Sequence, residues 1–145
     1  MAGGWWLVVS GWWLVVSGWW LVERREMKVK MYQELVVWQE AMKLAEEVYR
    51  LQKALPKEEV YGLGDQIRRA VVSIASNIAE GFGRDSSADF IHFLHIARGS
   101  LYETRTQLEL AQRLGYFLVD DSVSERFETI ARLINGLIRS LRTKH

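Results

Sequence analysis

The sequence predicts an all-α protein, an antiparallel up-down-up-down four-helix bundle, in residues 31–145. Apolar residues recur at helical spacing in four separate stretches of this segment. Short connections that contain turn-forming residues separate the stretches. The single proline of the chain, Pro56, follows the first stretch and interrupts none of them. Four amphipathic helices with short connections pack as an antiparallel bundle.

The first predicted helix extends from Glu34 to Leu55, and Pro56 stops it. Charged Glu and Lys residues occupy its far side, so the opposite side is expected to face the core. This predicted core stripe contains Leu35, Trp38, Met42, Ala45 and Tyr49. The segment PKEEVYGLG that follows is predicted to be a loop.

The second predicted helix, Gln66 to Gly81, is the one around which the others are organised. Its core stripe contains Ile67, Val71, Ile74 and Ile78. A second flank carries the small residues Val72, Ala75 and Ala79, which allow another helix to approach closely. A helix that is apolar over more than half of its circumference needs more than one neighbour. The pair Gly81 and Gly83 suits a left-handed C-terminal cap.

The third and fourth helices are bounded by capping signals. Ser86 with Asp89 predicts the start of helix three, and Gly115 predicts its end just after Leu114. Its predicted core residues are Phe90, Leu94, Ala97, Leu101, Leu108 and Ala111. Ser122 predicts the cap of helix four, because Glu125 completes an S-x-x-E capping box. The predicted core residues of helix four are Phe127, Ile130, Ile134, Leu137 and Leu141.

The first 26 residues form a different unit. Residues 4–22 read GWWLVVSGWWLVVSGWWLV, a seven-residue unit repeated without substitution that holds six of the seven tryptophans. The favoured interpretation is a tandem DNA repeat translated in frame, outside the functional fold, with the true start at Met27 or Met31. A membrane or interfacial anchor and a strand-like appendage stay open as alternatives.

Composition limits the classes of function. Nineteen basic residues face 18 acidic ones, a net charge of +1, which argues against a strongly basic nucleic-acid-wrapping protein. The absence of cysteine excludes disulfide scaffolds, thiol catalysis and cysteine-ligated zinc. His92 and His95 have the spacing of metal ligands, but no facing helix supplies a second such motif. We therefore expect no catalysis, no metal and no cofactor.

One flank of predicted helix three is the leading candidate for a binding surface. It contains His95, Arg98, Tyr102, Arg105 and Arg113, and the C-terminal segment adds Arg139 and Arg142. Guanidinium groups bind phosphates through paired hydrogen bonds, and an interleaved Tyr or His can stack on a base. These residues predict contacts with RNA or DNA. The alternatives are a solvated helix face and a merely solubilising C-terminal tail.

Two further groups of residues predict other surfaces. Arg69, Asn77 and Glu80 share the polar strip of helix two, and we expect a buried or interfacial hydrogen-bond network there. A ligand site or a small enzyme that uses Asn77 and Glu80 is the alternative. Apolar flanks left over after one core is formed predict a homo-oligomer interface. The residues of this predicted interface are Val72, Ala79, Phe93, Ile96, Leu110 and Leu114.

Three separated motifs occur in order along the chain. They are VWQEAMKLAEEVY, LPKEEVYGLGDQIRRAVVSIASNIAEG and FL-x-IA-x-GSL-x-E-x-x-TQLELA-x-x-LGY. Together they resemble the four-helix bundle proteins encoded in 23S ribosomal RNA intervening sequences. The resemblance covers about Met31 to His145 and does not reach the GWWLVVS repeat.

The resemblance implies a cytoplasmic bundle that assembles as a ring-like homopentamer, with a nucleic-acid role and no established enzymatic activity. Related accessory proteins of diversity-generating retroelements bind a reverse transcriptase and nucleic acid. The expected partners are therefore other copies of this chain, RNA or DNA, and a nucleic-acid-processing protein. Membrane association is expected only if the repeat is retained. A protein-partner scaffold that binds no nucleic acid is the competing hypothesis.

Overall fold

A computed structural model describes residues 29–143 of the protein, which form four α-helices and no strand. The helices are α1 (Val36–Leu51), α2 (Leu63–Phe82), α3 (Ser87–Arg113) and α4 (Asp121–Arg142). Short 3-10 turns occur at Tyr32–Glu34, Gln52–Ala54 and Lys57–Glu59. The GWWLVVS repeat, and with it the interpretation of residues 1–26, lies outside the described residues.

Each helix packs against its neighbours in sequence, and α4 also packs against α1 around one apolar core. The α2–α3 pair is antiparallel, because Ser73 bonds to Ser100 while the later Gly81 lies against the earlier Phe90. The predicted all-α four-helix bundle is confirmed. The up-down-up-down order of all four helices stays a prediction.

The core stripes predicted for α2, α3 and α4 are confirmed, with Phe90 and Leu137 partly buried at the edge of the core. The stripe predicted for helix one is wrong for Met42 and Tyr49, which are 38% and 42% exposed. The buried residues of α1 are Val37, Ala41, Leu44 and Val48. The apolar arc of α1 is wide enough for both stripes, so the positions of the neighbouring helices decide which one is buried.

Of the four predicted helix caps, two are confirmed and two are wrong. Ser86 Oγ accepts a hydrogen bond from Asp89 N (3.1 Å), and Gly115 has φ +82° at the end of α3. Gly83 is right-handed (φ −78°), so helix two ends without the predicted left-handed cap. Helix four is capped by Asp120, which comes two residues before Ser122.

The Asp120 carboxylate organises the start of α4. Its Oδ1 accepts hydrogen bonds from Val123 N (3.0 Å) and from Ser122 Oγ (2.8 Å). These bonds stabilise the ionised form, and together they hold the pKa of Asp120 below its usual value. A carboxylate at this position also interacts favourably with the helix dipole.

Gly81 sets the closest approach of α2 to α3. A Cβ atom at this position would lie 2.8 Å from Phe93 Cβ and 2.9 Å from Phe90 Cδ1. Contacts of this length require the neighbouring atoms to move, and one of these atoms, Phe93 Cβ, is fixed directly to the backbone. The hydrogen of glycine is therefore what allows the two helices to pack at this distance.

We expect Gly81→Ala to lower the free energy of unfolding by about 1–3 kcal/mol, because the methyl group overpacks the α2–α3 contact. Gly99→Ala is the matched control, since a Cβ there meets no heavy atom within 4 Å. That variant should gain roughly 0.5–1 kcal/mol from lower backbone entropy in the unfolded state. Urea titration followed by circular dichroism measures both, and equal effects would contradict the assigned role of Gly81.

We expect Asp120→Ala to lower the melting temperature more than Ser122→Ala, because it removes the acceptor of both hydrogen bonds. A carboxylate whose pKa is lowered by folding contributes fully to the free energy of unfolding at any pH above its pKa in the unfolded chain. This contribution is lost as the pH falls through its pKa in the folded protein. The melting-temperature difference between the wild type and Asp120→Ala should therefore shrink in acid. Calorimetry at several pH values would refute the assignment if Ser122→Ala were the more damaging variant.

Candidate functional site

The groove between α3 and α4 brings most of the predicted basic residues together. Arg98 Nη1 donates to Asn135 Oδ1 (2.6 Å), and Arg105 Nη1 donates to Glu128 Oε2 (2.7 Å). The two contacts are seven residues apart on each helix and run in opposite directions, so α3 and α4 are antiparallel in a regular register. Arg139 follows Asn135 by one turn, and Arg142 follows by two.

The Arg98 guanidinium is held at both ends by neutral groups. Its Nη1 bonds to Asn135, and its Nη2 bonds to His95 Nδ1 at 2.8 Å. A guanidinium has no acceptor, so His95 Nδ1 accepts this hydrogen bond and the proton of the neutral ring is on Nε2. Neither partner carries a negative charge. The contacts therefore orient Arg98 and leave its positive charge uncompensated.

His95 lies among cations. Partial burial lowers its pKa, and the guanidinium groups of Arg98 and Arg142 and the ring of His92 lower it further. The antiparallel register set by the Arg98–Asn135 and Arg105–Glu128 contacts brings the end of α4, with Arg142, to the part of α3 that holds His92 and His95. The neutral form that Arg98 requires is thus also the form that the surrounding charges favour.

Two of the predicted basic residues are neutralised within the protomer. Arg105 pairs with Glu128 on α4, and Arg113 pairs with Glu109 one turn earlier at 2.7 Å. Tyr102 is 49% exposed on the same flank of α3, available for stacking. The predicted set therefore separates into paired arginines and arginines with free charge.

Arg98, Arg132, Arg139 and Arg142 make no ion pair with any carboxylate in residues 29–143. We name the group formed by His95 and these four arginines the basic seam. Sequence reasoning missed Arg132. The signal that identifies it is its spacing of seven residues from Arg139, which places both on one stripe of α4.

The predicted oligomer interface falls on two separate faces. Val72 and Ala79 lie on the same side of α2 as Arg68, which bonds to Gln52 beside α1. On α1, Glu40 and Glu47 bind Arg126 of α4, so these two residues lie on the side of α1 that is opposite to α2. The exposed apolar residues of α1 and α2 therefore lie side by side. We name this surface the α1–α2 face, and it consists of the exposed Met42, Tyr49 and Val72 and the partly buried Ala79.

The second surface, the α3 face, consists of Ile96, Leu110 and Leu114, which are 39–53% exposed. It continues the stripe through which Phe93 and Ser100 contact α2. Phe93 is partly buried within the protomer, where it lies against Gly81 and beneath the Arg84 guanidinium (4.8 Å). Gln107 lies on the same stripe.

Gln107 carries an unsatisfied polar atom. The residue is 8% exposed, and its Oε1 has no hydrogen-bond partner among the described residues. A buried carbonyl oxygen without a donor costs about 1–3 kcal/mol. A donor from another molecule at the α3 face would remove that cost.

The polar strip of α2 does not form one network within the protomer. Asn77 Nδ2 donates to Ser73 O and to Ser73 Oγ, both at 2.8 Å. Glu80 pairs with Arg84 at 2.8 Å, and Arg69 pairs with Asp65 at 3.4 Å. Glu80 and Arg69 thus each pair with a side chain one turn away, whereas Asn77 joins Ser73, which contacts Ser100 of α3. An interfacial network that includes all three residues stays a prediction.

Two further features of the described residues bear on function. None of the helices in residues 29–143 is long and apolar enough to cross a membrane. The same residues contain no group of three histidine, aspartate or glutamate side chains placed to hold a metal ion.

Comparison with known proteins identifies a family and a similar solved structure. The family model described as 23S rRNA-intervening sequence protein matches residues 33–136. The solved structure is a protein of unknown function from the S23 ribosomal protein family of Bacteroides thetaiotaomicron. It is 28% identical, with a TM-score of 0.62, over 71% of this chain and 91% of that chain. No curated protein matched the chain.

Proposed function

This chain belongs to the 23S rRNA-intervening sequence protein family, and from that premise we propose that it is a non-catalytic, cytoplasmic homo-oligomer that binds nucleic acid. The observation that carries the proposal is the basic seam. Four guanidinium groups with no carboxylate partner among the described residues lie along one groove, with Tyr102 beside them. Phosphate contacts by arginine and stacking on an exposed aromatic ring are how proteins bind single-stranded nucleic acid without sequence preference.

The charge of the whole chain does not drive this binding. A protomer with a net charge of +1 exerts little attraction at long range. Binding therefore depends on the local cluster of charges and on its repetition in an assembly. Several weak phosphate contacts on linked copies add up to a strong interaction that falls steeply with salt.

Ion pairing changes which arginines we expect to matter. The residue pattern alone favours Arg98 and Arg105 over the C-terminal Arg139 and Arg142. Glu128, however, compensates Arg105 at 2.7 Å, whereas Arg139 and Arg142 have no carboxylate partner in residues 29–143. We therefore rank Arg98, Arg139 and Arg142 above Arg105 and Arg113.

RNA is the nucleic acid that we propose first. Two findings support this choice: the description of the family names 23S rRNA, and the chain is similar to a member of the S23 ribosomal protein family. A second protein that processes nucleic acid is compatible with the same surface. An enzyme at the polar strip receives less support, because Asn77 and Glu80 are already engaged by Ser73 and Arg84.

The two apolar faces support assembly as a closed ring, for which the pentamer is our proposal. The α1–α2 face and the α3 face are different surfaces on adjacent sides of the bundle. When one face of a subunit binds the other face of the next, the contact is head-to-tail and generates a ring if the rotation closes. Because the two faces lie on adjacent sides of the bundle, each subunit is rotated through a large angle relative to its neighbour, which favours a ring of few subunits. The unsatisfied Gln107 on the α3 face supports an interface there.

We expect the double variant Arg139→Ala/Arg142→Ala to bind a single-stranded RNA of about 15 nucleotides more weakly than the wild type. The slope of log K against log salt should decrease by about 1–2, because two phosphate contacts are lost. Fluorescence anisotropy between about 50 and 200 mM salt measures both quantities.

The control for this experiment is Arg113→Ala, which removes an arginine that Glu109 already compensates. It should bind nearly as the wild type does, and Glu128→Gln should bind more tightly because it frees the charge of Arg105. Equal losses in Arg113→Ala and in the double variant would show that total charge, and not the basic seam, controls binding.

We expect Val72→Glu and Leu110→Glu each to break the ring, because each places a charge in one of the two faces. An equimolar mixture should form a one-to-one dimer, since each variant keeps the face that the other has lost. Light scattering with mass detection reads out both results. Leu118→Glu, at a residue 81% exposed in the α3–α4 loop, is the control that should leave assembly unchanged. Self-association of either face variant alone would indicate a symmetric contact and refute the head-to-tail ring.

A further inference from the structure

We propose that His95, Arg98 and Arg142 form one phosphate subsite within the basic seam, and that its occupation is coupled to the uptake of one proton by His95. This inference rests on the proposed nucleic-acid function and specifies how that function responds to pH. It also assigns one phosphate contact to these three residues and distinguishes it from contacts with the other arginines of the basic seam.

The free protein holds this subsite in a state that does not yet present all of its donors. Arg98 Nη1 is engaged by Asn135 Oδ1, and Arg98 Nη2 is engaged by His95 Nδ1. The lone pair on Nδ1 exists only in the neutral ring. As long as His95 is neutral, it occupies one donor of the guanidinium and contributes no charge.

Protonation of His95 changes both properties at once. Nδ1 becomes a donor, so its hydrogen bond with Arg98 is lost and Nη2 is released. The imidazolium then adds a second charge beside the guanidinium. Two N–H donors and two positive charges become available to one ligand, which matches a phosphate with several acceptor oxygens.

Without an anion, the surroundings oppose this change. The charged and titratable groups that face His95 are His92 and Arg98 on its own helix and Arg142 on α4, with Arg139 one turn away. All of them are cationic or can become so. Partial burial, together with the repulsion from these groups, lowers the pKa of His95 in the free protein.

A bound phosphodiester reverses the balance, because its negative charge stabilises the imidazolium and occupies the released donors. The pKa of His95 is then higher in the complex than in the free protein, so the complex binds more protons. Affinity must rise as the pH falls from the pKa in the complex to the pKa in the free protein. Above and below that interval the contribution of His95 is constant.

Binding of an oligouridylate of about 15 nucleotides by the full chain, measured at about pH 7.5 and about pH 5.5, tests the coupling. The wild type should bind about threefold to tenfold more tightly at the lower pH, because one proton is taken up over part of this interval. His95→Gln keeps an acceptor for Arg98 but cannot be protonated, so it should lose most of this gain. His92→Gln removes a neighbouring histidine that makes no hydrogen bond to Arg98 and should retain the gain.

The outcomes distinguish this inference from the proposed function. Equal gains in the wild type and His95→Gln would overturn the coupling while nucleic-acid binding still stands. Equal losses in the two histidine variants would also overturn it, since general charge would then explain the response. Absence of RNA binding at both pH values would refute the proposed function.

A second measurement tests the subsite without RNA. The pKa of His95 is read from its ring-proton chemical shift at constant ionic strength, in sulfate and in chloride. Sulfate keeps its charge over this pH range, so a change in the measured pKa reflects the histidine ring and not protonation of the anion. We expect sulfate to raise the pKa of His95 more than that of His92. An unchanged His95 pKa, or an equal rise at both rings, would overturn the subsite.

Discussion

The close approach of α2 and α3 is the contact on which the rest of the structure depends. Gly81 allows it, because any side chain there would meet Phe90 and Phe93. Farther along the pair, the small hydroxyls of Ser73 and Ser100 meet at 2.9 Å and satisfy each other inside the interface. This packing buries one side of α2 and one side of α3 against each other. It leaves the outer flank of α2 to border α1, and it leaves Ile96, Leu110 and Leu114 exposed beyond the contact.

Ion pairs between helices then determine which charges the protein presents. Arg126 of α4 is partly buried and binds Glu40 and Glu47 of α1, so it holds those helices together and is withdrawn from any ligand. The hydrogen bonds to Glu47 and Glu40 raise the pKa of Arg126. Glu128 similarly compensates Arg105. The basic seam is what remains after these pairs are formed, and it lies toward the end of α4.

The surfaces proposed for assembly and the surface proposed for binding lie on different sides of the protomer. The α1–α2 face and the α3 face border α2, whereas the basic seam lies in the groove between α3 and α4. A ring built through the two apolar faces would therefore leave each copy of the seam open to solvent. Self-association would raise the local number of phosphate contacts without covering any of them.

Local rules allowed the sequence to determine the four helices, most of the core and the caps at Ser86 and Gly115. Helical periodicity and capping bonds act between residues three or four apart, so they can be read along the chain. Sequence reasoning also placed the basic residues of α3 on one flank of that helix. It could not determine which of those residues keep their charge. Arg98 meets Asn135 from 37 residues away, and Arg105 meets Glu128 from 23 residues away.

Tertiary packing alone decided the features that depend on how the helices are placed relative to one another. It selected Val37 and Val48 over Met42 and Tyr49 for the core, although both stripes of α1 are apolar. It divided the predicted interface into two faces, and it joined Arg132 to the basic seam. The physical reason is the same in each case. The sequence specifies what each helix can present, but the relative positions and register of the helices determine which partner each side chain meets.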